Sequence, residues 1–319
     1  MAILVTGGAG FLGARLVAAL VDPASGAPRD ARIVSIDLAP CPVDHPRVTS
    51  HVVSLPDPGL DELVTDDVRV VFHLAAVVSG QAEAEFDLGL QVNVDGTRRL
   101  LEACRHRARS PRFVFASTIA VYGGVLPPLV PDDWIVAPES SYGAGKLIAE
   151  TLVVEYTRRR FVDGIVCRLP TVAIRPGRPN SAVSSFVSGI VREPLAGIDA
   201  VLPVPPDTRI WLCSPTTAVR NLVHAATVPA GALGRRPVVN LPGLSVTAAE
   251  MLDSLERLAG TEVRSRVRHE PDPRIMAIVR TWPGAFETER PLHLGFTVDA
   301  DIDAVIREYM DTARQAASS

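Results

Sequence analysis

No two cysteines of the chain stand at metal-binding or redox spacing. Cys41, Cys104, Cys167 and Cys213 lie far apart and read as ordinary reduced residues. No apolar run is long enough to cross a bilayer, so neither a membrane span nor a membrane partner is expected. The apolar start at residues 2–5 runs straight into a glycine-rich turn, without the charged head, long apolar stretch or cleavage site of a signal peptide. The cytoplasm is the expected compartment. An excess of positive charge is missing too. A formal net charge of −4 gives no reason to expect nucleic acid or an anionic membrane as partner. Arginines do gather at residues 98–112, but Leu100, Leu101 and Ala103 interrupt them at helical spacing, which describes a solvated helix face. Internal repeats, low-complexity tracts and metal-ligand sets are absent from the pattern.

Apolar material is present in quantity. Hydrophobic residues make up 47% of the 319 and charged residues 21%, enough to bury a parallel sheet on both faces. Residues 2–5 form a short β-type run that stops at Gly7. Phe11, Leu12, Leu16, Ala19 and Leu20 then recur at helical spacing. Further strands are predicted at 32–36, ending at Asp37, and at 52–55, 68–74, 112–117 and 164–169. Helices are predicted at 90–104 and 142–160, with loop residues at 22–30. This alternation predicts an α/β fold with a doubly wound parallel sheet, a Rossmann fold, whose ligands bind beyond the carboxyl ends of the strands. From Pro170 the alternation lapses until a helix at 248–258, and a last helix at 301–313 frays toward the end. The expected organisation is a dinucleotide domain at 1–169, with parts of 210–245 returning to it. A smaller substrate lobe is expected from 170–209 and 246–319.

Residues 6–13 read TGGAGFLG. Gly7, Gly10 and Gly13 have the spacing that permits a tight turn, close approach of a pyrophosphate and close helix packing, while Phe11 and Leu12 open the helix facing the phosphates. Asp37 ends the second strand. It is placed either to accept hydrogen bonds from adenosine ribose hydroxyls or to cap a loop. Its charge repels a 2′-phosphate, so NAD is the expected cofactor, with some use of NADP left open. After His73, which reads as a core or strand-end residue, Leu74, Ala75 and Ala76 are small and apolar where a dinucleotide would lie close to the chain. Asn93 in NVDGT is either a plain helix-face amide or a brace for the site through backbone hydrogen bonds.

Tyr142 and Lys146 stand four apart in YGAGK, on one face of a helix. An adjacent ammonium stabilises a phenolate, so the pair suits proton transfer. Ser117 and Thr118 end the preceding strand, where a hydroxyl can hold a substrate oxygen. Lys146 is also placed to hold the nicotinamide ribose.

TGGAGFLG, Asp37, HLAA, NVDGT, STIAVYG and YGAGK together resemble the extended short-chain dehydrogenase/reductases over roughly residues 1–175. The resemblance implies Tyr142 as proton-transfer residue, Lys146 as its partner, Thr118 at the catalytic hydroxyl position with Ser117 beside it, and Pro170 and Val172 next to the nicotinamide. It also implies pairing of two chains through the helices at 90–104 and 142–160. Three departures narrow the expectation. Ile119 and Ala120 follow Thr118 where dehydratases of the family carry an acidic pair. Leu169, Pro170 and Thr171 replace the stretch whose asparagine holds a nucleotide diphosphate in the epimerases. Ser54 replaces the acidic residue that contacts adenine.

The second half, with RLPTVAIRPGRPN from Arg168, SSFVSGIVREPLAG from Ser184, PVPPDTRIWLCSP from Pro203 and VNLPGLSVT from Val239, resembles one subfamily. Its NAD-dependent members oxidise the C2 hydroxyl of a four-carbon sugar acid, D-erythronate, to the 2-keto acid. A small sugar acid needs one cation for its carboxylate and a few hydroxyl partners. Arg209 is the first candidate cation, with a surface salt bridge as its alternative, and Arg175 is the reserve. Ser79, Ser184 and Ser185 are candidates for substrate hydroxyls, or meet only water. The competing expectations are a nucleotide-sugar epimerase or keto-sugar reductase and, from another class, a dinucleotide-binding regulator without turnover. The retained Tyr142/Lys146 pair counts against the last.

Overall fold

The computed structural model describes residues 1–25, 28, 30–177 and 183–317. Three residues of the 22–30 loop, residues 178–182, which include the close of the Arg168 motif, and the final two residues lie outside these. Twelve strands are described: β1 (Ala2–Thr6), β2 (Arg32–Asp37), β3 (Val48–Val52), β4 (Val68–His73), β5 (Arg112–Thr118), β6 (Asp163–Leu169), β7 (Thr171–Val172), β8 (Ala200–Leu202), β9 (Arg209–Cys213), β10 (Val238–Asn240), β11 (Leu244–Thr247) and β12 (Val267–His269). Seven of them form a sheet in the order β10-β6-β5-β4-β1-β2-β3, with every pairing parallel. Strand order reverses beside β1, so a crevice opens beyond the ends of β1 and β4.

Side chains alternate across this sheet. Ile3 and Val5 face a cluster completed by Leu16, Val17 and Leu20 of the helix Phe11–Val21 and by Ala218 and Leu222 of the helix Pro215–Ala225. Leu4, Phe113 and Phe115 face the other side, against Leu100 and Leu101 of the helix Thr97–Arg107 and Ala149 and Val153 of the helix Ser141–Arg158. Both faces are therefore dry, which is why these strands read as nearly continuous apolar runs. A third cluster, with Ile174, Val187, Ile190, Leu212, Met251, Leu255 and Ile306, ties β9 to the helices Ser185–Leu195, Ala248–Ala259 and Ile302–Ala317.

The structure corrects the predicted elements in four places. The third strand lies at Val48–Val52, earlier than predicted. It is an edge strand with little burial, and the apolar signal came from Val53 and Leu55, which pack inward after it ends. The helix predicted at 90–104 is a longer rod: Phe86–Leu90, a wide π turn at Gln91–Gly96, then Thr97–Arg107. Residues 170–247, where the alternation was expected to lapse, hold the helices Ser185–Leu195 and Pro215–Ala225 together with short strands. These strands are only two to five residues long, too short to display a period. The last helix runs Ile302–Ala317, past the predicted end at 313.

Leu100 is fully buried between the helix and the sheet. Leu100→Ala is expected to lower unfolding free energy by about 3 kcal/mol in urea titrations, with the parallel sheet retained by circular dichroism.

Candidate active site

The glycine turn is built by close approach. A Cβ at Gly13 would lie 1.8 Å from the Gly7 carbonyl oxygen, so the helix can sit on its own loop only without a side chain there. Gly10 is the N-cap and offers no side-chain acceptor, which leaves the first-turn N–H groups at Phe11 and Leu12 directed outward. Asp37 braces this loop. One carboxylate oxygen accepts from the Ala9 N–H at 2.9 Å and the other from the Leu38 N–H at 2.6 Å, so the loop-capping alternative is realised, and each oxygen retains a further lone pair.

His73 is fully buried in a directional chain. The Ala75 N–H donates to Thr6 Oγ1, and the Thr97 hydroxyl donates to the Asn93 carbonyl at 2.7 Å. Thr97 must then accept from His73 Nε2–H at 2.8 Å, which leaves His73 Nδ1 to accept the Thr6 hydroxyl proton at 2.7 Å. The imidazole is therefore neutral, and burial, helped by the Lys146 charge, pushes its pKa down to about 3. Asn93, on the π turn, extends the chain. Its amide accepts from the Val77 N–H at 2.8 Å and donates to the Val77 carbonyl at 3.0 Å, fixing the path of half-buried Leu74, Ala75 and Ala76. Of its two alternatives, the brace is the one observed.

Thr118 ends β5, and its hydroxyl accepts from the Ala120 N–H at 3.1 Å, capping a turn at Ile119–Val121. The helix Ser141–Arg158 starts against that turn: a Cβ at Gly143 would lie 2.2 Å from the Ala120 carbonyl oxygen. This contact brings Tyr142 and Lys146 to the end of β5. The Lys146 ammonium is buried. It donates to the Ala116 carbonyl at 2.8 Å, lies 4.6 Å from the Phe115 ring centre and 5.9 Å from the Tyr142 ring centre. Desolvation pulls its pKa down to about 8, with the negative Glu150 acting the other way. Tyr142 departs from the expectation of a lowered phenol. Withdrawal from water pushes it up to about 12, and the charge that opposes this rise is the Arg175 guanidinium. Lys146 sits beneath the ring, held on a backbone carbonyl.

Other predicted residues divide. Ser117 is buried, and its hydroxyl donates to Glu150 at 2.5 Å. Pro170 and Val172 follow β6, where β7 pairs with β9. Arg175 lines a small cavity with Phe11, Ser184, Ser185 and Arg192, between the glycine turn and the helix Ser185–Leu195. Ser79 opens the helix Ser79–Ala84 just past the braced loop. Arg209 is exposed at the start of β9, bonded at 3.4 Å to the Ser245 carbonyl and hydroxyl, so Arg175 and not Arg209 is the cation brought to the phenol.

The family model described as "NAD dependent epimerase/dehydratase family" matches residues 3–229. The chain belongs to that family. It is 52% identical to a D-erythronate dehydrogenase of Cupriavidus necator, with 98% of this chain and 99% of the relative covered, and 43% identical to one of Haemophilus influenzae with the same coverage. Among solved structures it is similar to a nucleoside-diphosphate-sugar epimerase of Agrobacterium tumefaciens. That match has a TM-score of 0.92 and 40% identity, and covers 98% of this chain and 94% of the other. The uncapped helix start, the side-chain-free glycine turn and the braced loop after β4 together fit the dinucleotide that the family name implies. Among the described residues, no helix is long and apolar enough to cross a membrane.

Sequence reasoning missed Glu150, Arg168, Tyr122 and Asn240, which form a buried polar chain beneath the site. The helical spacing that picked out Tyr142 and Lys146 continues one step further to Glu150. A second signal was compositional: Lys146 is the only lysine in the sequence.

Two outcomes follow from this geometry. Gly143→Ala forces the helix start off Ala120 and is expected to reduce turnover far more than thermal stability, read by steady-state rates beside melting curves. His73 has a folded pKa below the 6.5 of the unfolded chain, so its contribution is complete above pH 6.5 and drains away as pH falls toward about 3. His73→Asn should flatten that acid limb of stability in pH-dependent melts.

Proposed function

We propose that the chain is an NAD-dependent dehydrogenase that oxidises the C2 hydroxyl of D-erythronate to 2-dehydro-D-erythronate. The observation that carries the reading is the meeting of Tyr142, Lys146 and the end of β5 in a chain that matches D-erythronate dehydrogenases from end to end. Tyr142 takes the proton of the C2 hydroxyl, and Thr118 orients that oxygen. Lys146 supports the phenolate and holds the nicotinamide ribose. Bound NAD supplies the acceptor for the C2 hydride. With a phenol as weakly acidic as this, positive charge near Tyr142 decides whether it works as a base. Arg175 and Lys146 are the two groups that contribute it.

Arg175 is the favoured partner of the substrate carboxylate, with Arg209 at the rim as reserve. Ser79 and Ser184 are the candidate hydroxyl partners. Residues 170–209 and 246–319 form the substrate lobe of this reading, and 1–169 with parts of 210–245 the dinucleotide domain. The Asp37 carboxylate favours NAD over NADP. A nucleotide-sugar epimerase is the second reading, because the Agrobacterium protein carries that name. Thr171 in place of the diphosphate-holding asparagine counts against it. Two chains pair through the helices that carry exposed Phe86 and Ile148, and the cytoplasm, which suits four free cysteines, is the compartment.

Reduced-nicotinamide absorbance is the direct assay. NAD with D-erythronate should give turnover and NAD with nucleotide-linked sugars none; the reverse result would sink the proposal. Tyr142→Phe should abolish turnover while retaining NAD binding by protein fluorescence. Arg175→Met should raise KM for D-erythronate at least about tenfold, as expected when a charge-assisted carboxylate contact is lost.

A further inference from the structure

Tyr142, Lys146 and Glu150 are spaced i, i+4, i+8 along one helix and so share a face. The third of them has no place in the reaction described above, yet it is 2% exposed. A carboxylate is left this dry only when its charge is answered. Here Arg168 of β6 answers it through Nε, at 3.0 and 3.2 Å from the two oxygens, and through Nη2 at 2.6 Å. Ser117 of β5 donates to it at 2.5 Å. Ser117 is the neighbour of Ala116, whose carbonyl holds the Lys146 ammonium. Arg168 also donates to the Tyr122 hydroxyl at 2.8 Å, which donates in turn to Asn240 of β10 at 3.0 Å. One carboxylate thus fastens the catalytic helix to two strands, one residue away from the ammonium's own anchor.

We propose that Glu150 is a positioning residue of the reaction: it clamps the helix to β5 and β6 and supplies the counter-charge that keeps buried Lys146 an ammonium beneath Tyr142. The proposal rests on the assignment of Tyr142 and Lys146 to proton transfer. The groups facing Lys146 leave few alternatives for that counter-charge. On its own helix they are Tyr142 and Glu150. From β4 comes neutral His73, and from β5 the Phe115 ring and the Ala116 carbonyl; Arg168 of β6 is bonded to Glu150. Beyond Tyr142 lies Arg175, also positive. Among these, Glu150 alone carries a negative charge.

A single lysine in the chain makes the test direct. Protein grown with lysine labelled at Cε gives one lysine resonance, which reports Lys146 without turnover. In the wild type it should titrate near pH 8. In Glu150→Gln its midpoint, and the alkaline limb of the kcat profile with NAD and D-erythronate, should both fall by about one pH unit. KM for NAD should stay close to the wild-type value. The neutral amide of that variant leaves Arg168 buried without a counter-charge, so two companions separate charge from packing. Glu150→Gln/Arg168→Met removes the pair together and should melt near the wild-type temperature with the lysine midpoint still low. Glu150→Asp keeps the charge on a shorter arm and should melt earlier with the midpoint unchanged. The proposal is overturned if Glu150→Gln or the double variant shows the wild-type midpoint, or if Glu150→Asp shifts as far as Glu150→Gln. Turnover retained in Tyr142→Phe would instead break the proton-transfer assignment, and would leave the lysine titration free to be judged separately.

Discussion

The whole site depends on one backbone contact. The first turn of the helix Ser141–Arg158 lies directly on the turn that follows β5, at a distance only a glycine at position 143 allows. Because helix and strand are rigid and dry on their shared face, fixing that one point fixes the direction of every residue on the helix face above it. Lys146 then meets the Ala116 carbonyl and Glu150 the Ser117 hydroxyl of β5. The placement of these side chains comes from two ordinary elements packed too closely to slide.

Burial acts in opposite directions on the two ionisable partners. Low polarity disfavours any charge, so it pushes the Tyr142 phenol up and pulls the Lys146 ammonium down, both toward neutral forms. A pair in which both partners are neutral gains little electrostatic support for a phenolate. The fold answers this from two sides, with Glu150 favouring the ammonium below the ring and Arg175 opposing the rise of the phenol. His73 follows the contrary strategy. It is held neutral between two hydroxyls, so it spends no counter-charge and can serve as a hinge pin for the loop after β4.

The sheet was legible because strands buried on both faces must be apolar throughout, and a helix covering them must repeat every three to four residues. The glycine turn was legible because side chains are excluded there, and exclusion is visible in sequence. Edge strand β3 was misplaced for the converse reason: with one neighbour and exposed faces it needs no apolar pattern, and Val53 and Leu55 beyond it carried the signal instead. The π turn at Gln91–Gly96 differs from an ordinary helix by hydrogen-bond register alone, which leaves no compositional mark. Which arginine approaches the phenol depends on how the segment after β6 folds back over the glycine turn. Arg175 and Arg209 were indistinguishable by residue type, and the structure separated them by placing one in the cavity beside Phe11 and the other at a strand edge.

Arginine supplies all the other basic side chains, 31 of the 32, and cannot replace Lys146 at this position for a physical reason. A guanidinium is a flat fork with five donors and a proton it does not give up, whereas the pocket under Tyr142 offers one carbonyl, two ring faces and one nearby carboxylate. A compact ammonium can satisfy itself on that carbonyl and ring, and its affinity for the proton can be set by the charge one helical turn below. The position therefore selects lysine twice, once for shape and once because its ionisation can be tuned, while any exposed site of the same charge is served equally well by arginine.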